Sequence, residues 1–82
     1  MNETLQAIVD YVVAASPQAA QAAGGPASLA VHKVFDSIAM IDFLAFLERR
    51  FQIRISDADV LPQNFADFAA VARLVESKRQ RA

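Results

Sequence analysis

Few side chains in this chain of 82 residues can do chemistry. The absence of cysteine excludes a disulfide framework and a thiolate metal site. A single histidine, His32, leaves no imidazole cluster for a metal. No nucleophile–base pair or metal set is spaced for catalysis, so an enzyme acting alone is not expected. What remains is Ser37, directly after Asp36, at the point where a helical pattern begins. A serine at the first position of a helix holds its hydroxyl at the helix mouth, beside backbone N–H groups with no partner inside the helix. An anionic group on that oxygen would lie at the positive end of the helix dipole, which favours an anion. The plainer alternative is that Asp36 and Ser37 only cap the helix.

The helix that begins at Ser37 runs to about Phe51, and it carries apolar residues on two sides. Spaced at about 100° per residue, Met40, Phe43, Leu44, Leu47 and Phe51 form a core stripe. Ile38, Ile41 and Ala45 fall on a different side, beside Asp42 and Arg49. A domain this small has too little material to bury a helix all round, so the second face is a candidate contact surface. Phe46 lies off both stripes and is expected to cover the connection that precedes the helix. Phe43, Phe51, Phe65 and Phe68 are expected in the core rather than around a ligand.

Other elements must hold this helix in place. Leu5, Ile8, Val9, Val12 and Val13 line one face of a first helix, with Asn2 or Thr4 as its cap. Pro17 and Gly24-Gly25-Pro26 then forbid a continuous helix. Residues 16–35 form a long connection, in which Ala19, Ala20, Ala22 and Ala23 can make one turn and Leu29, Val31 and Val34 pin the chain to the core. His32 is expected as an exposed loop residue. Ile53 and Ile55 are extended. Ser56 caps a short helix with Asp59 in a capping-box position, and Pro62 ends it. Asp67 caps a last helix with Phe68, Val71, Ala72 and Val75 inward. Lys78, Arg79 and Arg81 form a solvated, dipole-compatible end to that helix. The expected fold is a single all-α domain over 1–82, a bundle of three to four helices with a long loop between the first and second.

Composition bounds the function from another side. With 55% hydrophobic and 21% charged residues, the chain has enough apolar side chains to fold unaided. Its net charge of −1 gives no general affinity for nucleic acid. Glu3 and Asp10 interrupt the apolar N-terminal stretch, and no stretch approaches the roughly 20 apolar residues of a membrane span. A soluble, cytoplasmic protein is expected, with no membrane partner.

The segment Ser28-Leu29 through Phe35-Asp36-Ser37-Ile38, then Leu47-Glu48-Arg49-Arg50-Phe51-Gln52-Ile53 and Asn64-Phe65-Ala66-Asp67-Phe68, resembles the acyl and peptidyl carrier protein family across almost the whole chain. The family's Ser/Thr-Leu pair, its Asp-Ser pair and its helix-end motif all fall at matching spacing, read here as a free-standing member. The resemblance implies a 4'-phosphopantetheine arm on Ser37, attached from coenzyme A by a separate phosphopantetheinyl transferase. Asp36 would help that enzyme engage the site. An acyl- or aminoacyl-activating ligase would load the arm as a thioester. Downstream synthases, transferases or tailoring enzymes would read Ile38, Ile41, Asp42, Ala45 and Glu48 on the second helix.

Two departures from the family matter. Val34 stands where many carriers have glycine two residues before the Asp-Ser pair. The second helix carries Asp42 and Glu48 but also Arg49 and Arg50, unlike the strongly acidic helix of fatty-acid carriers. Charge complementarity selects partners, so the mixed face leans towards a dedicated pathway of polyketide, nonribosomal peptide or unusual acyl synthesis. The alternative from another class is an unmodified helical adaptor that binds a partner protein through the second helix. A small DNA-binding domain is disfavoured by the near-neutral charge.

Overall fold

The computed structural model describes residues 3–80; Asn2, one candidate cap, and Arg81, one of the basic tail residues, lie outside the described residues. Four α-helices form a small all-α bundle: α1 (Glu3–Ala15), α2 (Val31–Val34), α3 (Ser37–Phe51) and α4 (Phe68–Gln80). No strand occurs among the described residues, and none of their helices is long and apolar enough to cross a membrane. The Cα radius of gyration, 11.7 Å, is that of a close-packed chain of this length.

The helices form where apolar residues recur at helical spacing, and most burial follows those stripes, although Val9 and Val13 of α1 are only half-buried and stand outside the core cluster. Ile8 and Val12 of α1, Phe43 and Leu47 of α3, and Phe68, Val71 and Val75 of α4 are fully buried. Rings join the layers. Phe35, Phe43 and Phe68 meet with centroids 5.1–5.7 Å apart, and Phe68 stands edge-on to both others. That arrangement suits the aromatic quadrupole and adds to the area buried. α4 buries Ala70 and Leu74 as well, beyond the four positions its pattern predicts.

The connection between α1 and α3 contains more structure than the sequence predicts. A 3-10 turn spans Pro17–Gln21, so the turn takes in Ala19 and Ala20 but not Ala22 or Ala23. Gly24 and Gly25 both have positive φ, +82° and +89°, which reverses the chain at little cost only without a side chain. Pro26–Ser28 makes a second 3-10 turn, and the Ser28 hydroxyl donates to the Gly25 carbonyl at 2.8 Å. The short α2 follows, so His32 is exposed, as expected, but on a helix rather than a loop. Val31 is fully buried, and Leu29 and Val34 pack partly buried against the core, as their apolar character predicts.

Three further expectations change. Thr4 is not a cap: it lies within α1, is buried, donates its hydroxyl proton to the Glu76 carboxylate and accepts from the Arg79 guanidinium at 3.1 Å. Phe46 does not cover the long connection but stacks on Tyr11 of α1, centroids 4.4 Å apart. Lys78 is not simply solvated. Its ammonium pairs with the Asp59 carboxylate at 2.6 Å, both side chains being mostly buried. Arg79 lies over the Phe51 ring, 5.7 Å from its centroid.

The short helix expected after Ser56 is a 3-10 turn, Asp57–Asp59, with the predicted capping box, and it closes at Val60 rather than at Pro62. Asp59 accepts the Ser56 backbone N–H at 2.9 Å as well as the Lys78 proton. The Lys78 hydrogen bond first, and the Ser56 backbone N–H second, lower its carboxyl from 3.8 to about 2. Asp67 caps α4 as predicted, its Oδ1 accepting the Ala70 N–H at 2.8 Å.

Candidate functional site

Asp36 and Ser37 sit where the sequence places them, at the start of α3. Asp36 is the N-cap, in extended backbone conformation, and its Oδ1 accepts the Ala39 N–H at 2.8 Å. Its own carbonyl takes the Met40 N–H at 2.9 Å, which starts the helical ladder. One carboxylate oxygen is thus committed to the cap, and both residues are exposed. The Ser37 hydroxyl makes no hydrogen bond among the described residues. It is a free oxygen at the N-terminus of a helix of 15 residues.

What holds this pair at the surface is the residue before it. Phe35 is buried against Tyr11, Phe43 and Phe68. The chain therefore turns from core to solvent within one residue, and Asp36 and Ser37 cannot sink inward without extracting a ring. Sequence reasoning passed over Phe35, because it lies outside both helical stripes. Its signal was adjacency: a lone aromatic abutting the one candidate pair.

The second face of α3 is open. Ile38 is 73% and Ile41 67% exposed, the two most exposed large apolar side chains among the described residues. Asp42 is exposed beside them and Ala45 is half-buried. Glu48 differs. Its Oε2 accepts the Ile55 N–H at 2.9 Å, so this carboxylate fastens the segment after α3 to the helix. Val60 and Leu61, 43% and 40% exposed, are apolar surface that the helical pattern did not flag. His32 is exposed on α2.

The face ends in a groove lined by Ala45, Glu48, Arg49, Gln52, Ile53 and Arg54. Gln52 takes the left-handed conformation, φ 56°, and closes α3. Ile53 is buried and Ile55 half-buried, so Arg54 between them faces out in the alternation of an extended segment.

No family model, no curated protein and no solved structure matches the chain.

A group esterified to Ser37 fits this geometry. The oxygen is free and exposed, and the helix dipole favours an anion there.

Proposed function

We propose that the chain is a carrier protein. Ser37 would hold a 4'-phosphopantetheine arm, and the arm's thiol would carry an acyl or aminoacyl group as a thioester. The observation that carries this reading is a free, exposed serine hydroxyl at the first turn of α3, next to two isoleucines that none of the described residues covers. The resemblance in residues 28–68 supplies the chemistry; the geometry supports it.

Each residue has a part in this reading. Ser37 offers the oxygen, with no base of its own, so a phosphopantetheinyl transferase must activate it. Asp36 keeps α3 capped and presents its second carboxylate oxygen to that enzyme. Ile38 and Ile41 give partner enzymes an apolar foothold beside the arm. The arm confines its cargo near each partner's active site and so raises its local concentration. The mixed charge of α3 favours a dedicated pathway over general fatty-acid synthesis.

Intact mass after incubation with coenzyme A and a broad-specificity transferase tests the reading. Wild type is expected to gain one phosphopantetheine group and Ser37→Ala none. A folded wild type that gains nothing, with an active transferase, would refute the carrier role. The exposed isoleucines would then favour the second reading, an unmodified adaptor that binds a partner through α3.

A further inference from the structure

On α3, Ser37, Ile41, Ala45 and Arg49 stand at i, i+4, i+8 and i+12. Residues four apart form one continuous ridge along a helix, inclined only slightly to its axis. From Ser37 to Arg49 the ridge rises about 18 Å, at about 1.5 Å per residue. An extended pantetheine arm covers a similar length. The ridge is apolar in the middle, through Ile41 and Ala45, and Ile38 flanks it. It ends at the groove that holds Arg49 and Arg54.

That groove is cationic and built. Arg49 and Arg54 are exposed, and neither guanidinium is ion-paired among the described residues. The one carboxylate in the lining, Glu48, is hydrogen-bonded to the Ile55 N–H. That bond secures the extended segment to α3, so that Arg49 and Arg54 line one groove. Gln52 donates to the Arg49 carbonyl at 2.9 Å and steadies the turn. Two free guanidiniums at the end of an apolar track suit a carboxylate, which accepts paired N–H donors from arginine.

We propose that this groove is a cargo site, and that it takes an acyl group with a free terminal carboxylate, a dicarboxylic monoacyl thioester. The proposal rests on the carrier reading above. A single exposed arginine–carboxylate contact is weak in water. Tethering changes the balance, because a short linker gives an effective concentration of about millimolar. Two guanidiniums and the apolar track together must therefore bind the acid with a Kd of about millimolar, which the tether fills and free acid at a much lower concentration does not. Cargo without the carboxylate would leave the groove empty.

The test uses full-length, 15N-labelled protein loaded at Ser37 by a broad-specificity transferase from succinyl-coenzyme A, butyryl-coenzyme A or coenzyme A alone. Intact mass verifies each product. Amide and guanidinium resonances are then compared by two-dimensional NMR. Succinyl cargo is expected to shift Arg49, Gln52 and Arg54 relative to the arm alone, and butyryl cargo, of the same chain length without the charge, is not. The shifts should vanish at 1 M salt and in the Arg49→Gln/Arg54→Gln protein. Free succinate at the protein's own concentration should produce none. Equal shifts from the two cargoes, or none from either on loaded protein, would overturn the cargo site and leave the carrier reading standing. Failure of Ser37 to load would refute both.

Discussion

At the scale of single residues, the site depends on two neighbours of Ser37 with different tasks. Asp36 caps α3 through one hydrogen bond to Ala39. Loss of an N-cap costs about 1 kcal/mol, so Asp36→Ala should lower the urea midpoint by that equivalent. Asp36→Asn, which keeps an acceptor, should recover most of it. If Asn and Ala behave alike in stability, the cap is not what Asp36 contributes. Phe35 is a core residue, and truncating a buried phenylalanine costs about 3–5 kcal/mol. The sequence shows Asp36 and Ser37 plainly, because cap chemistry is local. It does not show Phe35, whose task is defined by Tyr11, Phe43 and Phe68 arriving from elsewhere in the chain.

At the scale of elements, α3 is a helix with two different faces. Phe43 and Leu47 are fully buried on one, while Ile38 and Ile41 stand in solvent on the other. Ile38→Ser and Ile41→Ser should therefore change stability by no more than about 0.5 kcal/mol. Phe43→Ala should cost about 3–5 kcal/mol, and equilibrium unfolding in urea separates the two. A large loss from Ile41→Ser would mean that the face is covered. Both stripes were legible, because a helical period needs only the residues of one helix. The wheel could not place Phe46, since Tyr11, its stacking partner, lies on α1. Nor could the pattern resolve the turns between Pro17 and Ser28. Proline and glycine announce where a helix must stop, but which short turn follows is decided by what the loop packs against.

At the scale of the whole molecule, polar ties join segments far apart in the chain. Asp59 grips Lys78 and Ser56, and its carboxyl is lowered to about 2. A depressed carboxyl stabilises the fold fully above its ordinary value of 3.8, and that contribution is lost as pH falls through about 2. The stability gap between wild type and Asp59→Asn should thus be constant above about pH 5 and close between pH 4 and 2. A gap that does not change with pH would exclude the pair. The second tie holds the chain ends together, through Thr4, Glu76 and Arg79. Thr4→Val removes both hydrogen bonds at a buried site, so a loss of about 1–2 kcal/mol is expected. In a domain of this size that lowers the thermal midpoint by about 4–8 °C per kcal/mol. Neither tie was legible as such. Thr4 looks like a cap and Lys78 like a solvated end, because their partners lie 72 and 19 residues away.

The aromatic seam also gives the molecule an optical readout of its own surface. Tyr11 is the chain's single tyrosine, and there is no tryptophan to mask its emission. Its ring stacks on Phe46 and meets Phe35 edge-on, centroids 6.0 Å apart. Phe35 is two positions from the Ser37 oxygen. Any strain that a bulky substituent at Ser37 puts on the first turn of α3 reaches Phe35 directly, and Tyr11 through one ring contact. The near-ultraviolet dichroism and emission of one native chromophore therefore report the packing of Phe35, without a label and away from the exposed isoleucines of α3.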